Sequence, residues 1–477
     1  MQIKKIIQTY GKTCGVLFLI NLLGICAILR ANFSYIDDLG RVQLGTRGWV
    51  RESRFLSEGL SVLLHTNMRV SDISPLPQLL AAFLLAIAGT IVLYLFHGDQ
   101  SRRIRFLPAV VTLGINPYFL ECLSYKFDAP YMALSVLLSV LPFLFIKKKR
   151  SYLLFSVLSL LAMYTTYQAS SGIYPMLALL LFFRRWNRKE DRREAARFLL
   201  QSVVSYILAT GLFRLLMPLS TSWYPTAVLS LRTFLPDLAA NYRILFQQMR
   251  ADFNPIWKGA ILLVLLAFLY RTQKESRQNR FLALLEASLL LVLLFTCAYG
   301  IYIFLQKPFL APRAMYGYCV CLTLLSVYGA ESFGAEIPMA WCFLIFGLTY
   351  GNALQAQKTF TERRLAAAIS AADQSRAFSS SVKGLQIAGT IGKAPTVMNM
   401  QTAYPIIVRL VPDTLTSGWV WSEFILQNEI GQNTYTLTTE QLDLSRLSQQ
   451  DLPLVADNAF ETIRANDAYI LITFHAQ

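Results

Sequence analysis

Apolar stretches of helical length recur through most of the chain, with short polar segments between them. About 20 apolar residues are enough for a helix to cross a bilayer, so each stretch is a predicted membrane span. Two of them are short and aromatic, and re-entrant or half-helices there would change the number of spans by one or two. The eleven stretches lie near residues 13–30, 78–97, 107–120, 130–146, 151–167, 172–183, 199–217, 256–270, 281–305, 314–330 and 337–353.

The polar connections differ in charge on the two sides of these predicted spans. Cytoplasmic loops carry an excess of Lys and Arg, and all the basic clusters fall on the side of the N-terminus, which is therefore predicted to be cytoplasmic. The basic start and the apolar run after it lack a clear cleavage site, as in a retained signal anchor. The turn at residues 331–336 has no basic residue, so the last two spans have less support. The basic clusters are Lys4 with Lys5 and residues 102–105, 147–150, 184–189 and 271–280.

The opposite-side segments and the end of the chain have a different character. The outer segments mix aromatic residues with Asp, Asn, Arg and Pro, which is more typical of the walls of a site than of simple connections. After residue 353 the chain becomes polar, with strand-like runs at 385–388, 404–410 and 469–474 and helix-like stretches at 438–446 and 458–464. We therefore predict an all-α polytopic membrane bundle, residues 1–353, and a small extracytoplasmic α/β domain, residues 354–477. The outer loops are residues 31–77, 116–129, 220–255 and 306–313, with a short one at 168–172.

Composition supports the membrane class and excludes several others. The chain is 55% hydrophobic and 15% charged with a mean hydropathy of +0.44, whereas soluble domains are roughly a quarter charged. Its net charge of +16 is spread over the short clusters between spans, which fits topology and anionic lipids and not a nucleic-acid surface. Three histidines and scattered cysteines make a zinc site or a disulfide framework improbable. Nucleotide-binding and metalloprotease motifs are missing.

The strongest chemical signal is an acidic pair in the first outer segment, Asp37 and Asp38. Adjacent carboxylates at the mouth of a membrane helix are costly unless a cation, a metal or a substrate compensates them. Removal of the proton from an acceptor hydroxyl needs a carboxylate within hydrogen-bond reach, so the pair is a candidate catalytic base. The alternative is that it caps a short loop helix and pairs with Arg41.

Later outer segments supply candidates for binding. Asn116 and Tyr118 lie in an aromatic segment that leads to Lys126 and Asp128. Aromatic faces beside amides and carboxylates bind pyranose rings, although an interfacial aromatic belt has the same composition.

Two further segments lie at the outer ends of later spans. Gln168 ends one span, and Arg313, with Tyr316 close behind it, could hold a phosphate through its planar guanidinium; an interfacial arginine reaching for water is the alternative. The stretch 231–253, which follows Trp223, is amphipathic and predicted to lie on the outer surface.

The first outer segment resembles that of the type II Gtr glucosyltransferases, polytopic membrane enzymes of the GT-C type that modify bacterial O-antigen. The segment around Asn116 and Asp128 is also similar. One departure is plain, since a Gly-Arg-Pro-Leu run is expected where this chain has Ser-Arg-Phe-Leu at residues 53–56, and the turn must be built differently. The pattern that carries the resemblance is Tyr35, Asp37, Asp38 and Arg41, then Gly48 and Trp49, then Arg54, Phe55 and Leu56.

The resemblance implies transfer of a sugar, usually glucose, from a polyprenyl-phosphate-linked donor. The acceptor would be a surface polysaccharide such as O-antigen or a lipid-linked saccharide, on the periplasmic face of the bacterial inner membrane. It assigns the base to Asp37 or Asp38, and direct displacement would invert the anomeric carbon. A divalent cation, Mg²⁺ or Mn²⁺, on this pair is compatible with the family. A dedicated flippase and an upstream polyprenyl-phosphate glucosyltransferase are expected partners.

Cations are needed for the departing phosphate, and Arg41, Arg54, Lys126 and Arg313 are the candidates. The full set expected to bind substrate is Tyr35, Arg41, Trp49, Arg54, Asn116, Tyr118, Lys126, Asp128, Gln168, Arg313 and Tyr316.

Two other functions compete with glycosyl transfer. A flippase or transporter of a lipid-linked saccharide would show charges within the spans and internal repeats, whereas here the charges cluster in the outer loops and no repeat is apparent. A structural assembly subunit leaves the acidic pair without a purpose.

Overall fold

The chain is mainly helical in the computed structural model, which describes residues 2–102, 104–217, 227–330, 334–374, 384–430 and 451–475. A small sheet follows the helices near the C-terminus. The helices of the first half are α1 Gln2–Ala31, α2 Asp37–Leu44, α3 Phe55–His65, α4 Leu76–His97, α5 Leu107–Val111, α6 Phe119–Ser124, α7 Ala129–Val140, α8 Lys149–Tyr164, α9 Ile173–Asn187 and α10 Arg192–Leu216. Those of the second half are α11 Phe234–Asp252, α12 Pro255–Glu275, α13 Arg280–Cys297, α14 Pro312–Met315, α15 Gly317–Gly329, α16 Glu336–Gln374, α17 Pro395–Ala403, α18 Ile407–Leu410 and α19 Val420–Ile430.

Several helices are long and apolar enough to cross a bilayer, which indicates a membrane protein. Within the described residues six segments meet both conditions. Each of the eleven predicted stretches contains helix, but several of these helices are short, and the count of eleven spans stays a prediction. The six segments are Tyr10–Ala31, Leu76–Gln100, Arg192–Leu216, Pro255–Glu275, Arg280–Cys297 and Glu336–Gln374.

The stretch at 107–120 is broken into two short helices. Helix α5 ends at Val111 and α6 begins at Phe119. Pro117 cannot donate a backbone hydrogen bond, and the Asn116 side chain accepts one from the Phe119 amide at 2.9 Å, which starts the second helix. The break places polar groups such as the Asn116 amide in the protein interior.

Small residues let the long first and last helices of the bundle pack closely. Helix α16 crosses α1 where Gly347 faces Gly24, and a Cβ atom on Gly347 would lie 2.5 Å from the Gly24 carbonyl oxygen. Such small-residue contacts are the usual means of bringing membrane helices together. They place the start of the outer segment that follows α1 beside the C-terminal half of α16.

The C-terminal region forms a four-stranded sheet in the order β1-β4-β3-β2, with a core of its own against the end of α16. Strand β1 pairs with β4 in parallel, whereas β4 with β3 and β3 with β2 are antiparallel pairs. The strands at 385–388 and 469–474 are thus confirmed. The strands are β1 Gly384–Gly389, β2 Leu454–Asp457, β3 Glu461–Ala465 and β4 Tyr469–Phe474.

Two predicted elements of this region are wrong. The run 404–410 is not a strand, because residues 407–410 form the helical turn α18, which buries Ile407 and Leu410. The stretch 458–464 is not a helix: Asn458 accepts backbone hydrogen bonds from Phe460 and Glu461, which turns the chain between β2 and β3. The predicted helix at 438–446 lies outside the described residues. The division at residue 353 also stays a prediction, and α16 passes through it unbroken.

Candidate active site

Helix α2 carries the acidic pair in its first turn. Ile36, immediately before it, has φ of +47°, so the chain turns sharply out of the preceding segment. Asp38 is fully buried, and its Oδ2 accepts hydrogen bonds from the amides of Tyr35 at 3.0 Å and Lys126 at 2.9 Å. The carboxylate therefore connects the first outer segment to the loop that precedes α7. The alternative of a helix cap is wrong, because α2 has no side-chain cap hydrogen bond and Asp38 binds amides outside the helix.

The other oxygen of Asp38 has no hydrogen-bond partner among the described residues, although it is buried. Burial raises the pKa of Asp38 to about 7, against the two backbone hydrogen bonds and the Arg41 charge, which lower it. Groups poised near neutral pH are suited to general acid–base chemistry. A half-satisfied buried carboxylate is costly for a structural role alone.

Asp37 has the opposite environment. Its side chain is half-buried, and none of the hydrogen bonds and ion pairs formed between described residues involves its carboxylate. The charge nevertheless acts on Arg41, Arg313 and Tyr125, so it lies among them. Asp37 is the member of the pair with access to a ligand.

Asp128 gathers three of the predicted binding residues. It forms an ion pair with Arg41, accepts a hydrogen bond from Trp49 Nε1 at 2.6 Å, and lies 3.7 Å from Arg54. Arg41 also lies over the Trp49 ring at 4.2 Å. The ion-pair partner of Arg41 is thus Asp128, 87 residues away, and not the acidic pair as the cap interpretation expects.

Two further cations around the acidic pair, and a third farther from it, each have a carboxylate partner. Lys126 Nζ contacts Asp72 at 2.9 Å. Arg313 binds Glu121 twice, through its amide and its Nη1, both at 2.6 Å. Arg409 pairs with Asp252 and also donates to the Leu310 carbonyl. Burial explains the pairing, since an unpaired charge in a low-dielectric interior costs several kcal/mol.

Arg54 is the cation with the greatest spare hydrogen-bonding capacity in this cluster. Its Nε is buried without a partner among the described residues, and its one ion pair is long. It lies 4.8 Å from the centre of the Tyr167 ring. Tyr125 is also buried with an unpartnered hydroxyl. A polar ligand could accept hydrogen bonds from Arg54 Nε and the Tyr125 hydroxyl and donate one to the second oxygen of Asp38.

The departure from the family pattern at residues 53–56 has a simple structural form. Ser53 has φ of +58°, the left-handed region in which glycine is favoured. Phe55 occupies the first position of α3, where proline is favoured. The chain therefore keeps a turn of the kind that glycine and proline would favour, and Arg54 remains at its centre.

Four predicted binding residues lie away from the acidic pair or serve the backbone. Asn116 starts α6, and Tyr118 donates to Asp252 at 2.9 Å. Gln168 holds the carbonyl of Glu52 at 2.9 Å. Tyr316 exchanges a hydrogen bond with Ser170 at 2.6 Å. Their contacts are structural, and their role in binding stays a prediction.

The C-terminal region reaches the site, which the sequence did not suggest. Tyr35 donates through its hydroxyl to the Leu410 carbonyl at 2.7 Å, and Gln43 donates to the carbonyl of Phe424. The Trp421 ring packs directly on Gly40 of α2. The aromatic residues at 419–424 were the available signal, but nothing local linked them to α2.

The divalent cation expected on the acidic pair stays a prediction. In the part of the chain that the structure describes, no group of three or more His, Cys, Asp or Glu side chains could hold a metal. The open Asp38 oxygen and the nearby Asp37 could supply two ligands. Mg²⁺ is often bound by one or two carboxylates with waters and substrate phosphate.

Comparison with known proteins places this arrangement in context. A family model described as "Glucosyl transferase GtrII" matches residues 26–324. A protein of Salmonella phage P22, described as an uncharacterized 55.3 kDa protein in the gtrB 5' region, is 24% identical over 439 residues, which cover 86% of this chain and 88% of that protein. No solved structure matches the chain.

Proposed function

Because the chain belongs to the GtrII glucosyl transferase family, we propose that it transfers glucose from a polyprenyl-phosphate-linked donor to a surface polysaccharide such as O-antigen. The family supports a membrane glycosyltransferase. The donor, the acceptor and the side of the membrane are the proposal. Reaction at the periplasmic face of the bacterial inner membrane follows from the alternation of basic loops.

The observation that carries the proposal is the environment of the acidic pair. One carboxylate, Asp38, is held by two amides with its second oxygen open, and the other, Asp37, is accessible. Arg41, Arg54 and Arg313 lie around them. A base beside cations is the combination that sugar transfer from a phosphate donor requires.

The reaction has one displacement step. A carboxylate of the acidic pair removes the proton from an acceptor hydroxyl, and the hydroxyl oxygen attacks the anomeric carbon of the donor sugar. The bond from that carbon to the phosphate oxygen breaks, and polyprenyl phosphate leaves with the electron pair. Attack opposite the leaving group inverts the anomeric carbon.

The cations stabilise the charge that develops on the departing phosphate. Arg54 is the best placed, since its Nε is unpartnered and its pair with Asp128 is long. Arg313 already pairs with Glu121, and Arg41 already pairs with Asp128. These two arginines would therefore stabilise the phosphate more through their positive charge than through new hydrogen bonds. A flippase and an enzyme that charges polyprenyl phosphate with glucose would supply the donor.

Single substitutions of the acidic pair test the proposal. Asp38→Asn keeps an oxygen for the two amides, so the fold is expected to persist while the base is lost. We expect at least one of Asp37→Asn and Asp38→Asn to lower transfer by about 10²- to 10⁴-fold, measured as acceptor-dependent release of polyprenyl phosphate from purified protein and polyprenyl-phosphate glucose.

The matched control is Asp237→Asn, which removes a carboxylate from the start of α11, where it accepts from Thr233. Full activity is expected there. Full activity in both acidic-pair variants would overturn the assignment of the base. Release of lipid phosphate that does not depend on an acceptor would overturn the proposed transfer reaction.

A further inference from the structure

A second polar region lies beyond the ends of α4 and α7, two helices that begin shortly after Asp72 and Asp128 of the candidate active site. It is a cavity of about 480 Å³ where α4, α7 and α9 end and α8 begins. One wall is apolar and includes Phe96, Phe143 and Leu181. The other is basic and is formed by the segments at 147–148 and 184–188. A water-filled surface cleft would not need the apolar wall.

The basic wall carries an excess of positive over negative charge. Lys147, Lys148, Arg184 and Arg185 form no ion pair with another described residue, and Arg188 is the member of the set that does, with Glu275 at 2.6 Å. Glu190 is the one acidic residue that lines the cavity in the described part of the chain. Unpaired cations grouped around a cavity attract an anion.

The cavity is separate from the candidate active site. Helix α4 begins four residues after Asp72, which pairs with Lys126, and ends at His97 in the cavity lining. Its 22 residues span about 33 Å at 1.5 Å per residue. That distance is close to the thickness of the hydrocarbon core of a bilayer, so the two sites lie near opposite membrane surfaces.

We infer that this cavity binds the phosphate group of an anionic phospholipid from the membrane leaflet opposite the candidate active site. Basic pockets between membrane helices bind lipid phosphates in this way. Arg184 Nη1 donates a hydrogen bond to the Leu95 carbonyl at 3.4 Å, and the guanidinium lies 5.6 Å from the centre of the Phe96 ring. The other N–H groups of this guanidinium are left for a phosphate. The apolar wall would take the first part of an acyl chain, which a free phosphate lacks.

The test is a binding measurement on the purified full chain in a neutral detergent. Native mass spectrometry would follow titration with phosphatidylglycerol, with phosphatidylcholine and with inorganic phosphate in separate arms. We expect retention of phosphatidylglycerol in preference to phosphatidylcholine. Each basic residue near a lipid phosphate is worth about fivefold in affinity, so Lys147→Gln/Lys148→Gln should weaken phosphatidylglycerol binding roughly 25-fold.

The matched control is Arg193→Gln/Lys274→Gln, which removes two exposed cations outside the cavity lining. Unchanged affinity in this control and weaker binding in the cavity variant support the inference. Equal loss in both variants, or equal retention of the two lipids, would overturn it. Saturation by inorganic phosphate without any gain from the lipid would assign the cavity to a soluble anion and overturn the lipid source.

Discussion

The two polar regions at opposite ends of α4 handle positive charge in opposite ways. Around the acidic pair, Arg41, Lys126 and Arg313 are each paired with a carboxylate. Around the cavity, Lys147, Lys148 and two arginines lack such a partner within the described residues. In the first region most cations are paired with carboxylates, and in the second most are unpaired.

The difference follows from solvation. A buried cation without a fixed counter-ion destabilises the fold, whereas Lys147 and Lys148 are exposed to solvent. The paired region can therefore hold reacting groups in fixed positions. The unpaired region has cations that remain available to an anion. The unpaired cations of the second region therefore contribute to the net charge of +16, whereas the ion pairs of the first do not.

The largest effect should come from breaking the paired region. Asp128→Ala removes the partner of Arg41, Arg54 and the Trp49 indole together, and leaving buried cations unpaired costs about 3–5 kcal/mol in the free energy of unfolding. Thermal unfolding in detergent would measure the loss. Asp467→Ala, in the exposed turn before β4, is the control, with a change within about 0.5 kcal/mol. If Asp128→Ala lowered the free energy of unfolding no more than the control does, the ion pairs would not be important for stability.

A smaller effect is expected where α2 meets the C-terminal region. Gly40→Ala would bring a methyl group to 2.8 Å from the Trp421 ring, and such overpacking costs about 1–3 kcal/mol. Trp421→Leu should relieve it in the double variant. Gly59→Ala in α3 is the control, because nothing lies within 4 Å of the added Cβ atom. Equal stability of the two alanine variants would show that the contact does not hold α2 in place.

The pH dependence of transfer sharpens the role of the acidic pair. Burial raises the pKa of Asp38 to about 7, so its ionised fraction increases as the pH rises towards 7 and levels off above it. If transfer requires the ionised form, kcat/KM should rise about 50-fold between pH 5 and pH 7, most steeply below pH 6. Initial rates at fixed acceptor concentration would measure it. A flat profile from pH 5 to 8 would exclude an ionised Asp38 from the rate-determining step.

The smallest effect should be at the cavity. Lys147→Gln/Lys148→Gln removes two charges but no ion pair with a described residue, so the free energy of unfolding without added lipid should change by less than about 0.5 kcal/mol. Thermal unfolding beside the Asp128→Ala variant gives a direct comparison. A loss of several kcal/mol would mean that these lysines are structural and that the two regions do not differ as described.

The sequence predicted those features that have a local pattern. Apolar runs identified the helices, and the pattern of residues from Tyr35 to Leu56 indicated the family. Partners remote in the chain were missed: Arg409 meets Asp252 across 157 residues, and no periodicity links them. The hairpin at 458–464 was read as helix because its turn depends on the Asn458 side chain, a specific contact that a hydrophobic pattern does not encode.

The unbroken course of α16 has a consequence for engineering and for the divergence of related chains. One continuous helix of 39 residues joins the apolar bundle to the sheet. The number of residues in this helix therefore sets how far the sheet is rotated about the helix axis relative to the bundle. Inserting a single residue after Leu354 would rotate everything beyond it by about 100° and shift it by about 1.5 Å. Arg409 would then point away from Asp252. Chimaeras between relatives should therefore exchange segments at the connecting loops of the sheet and preserve the residue count of this helix.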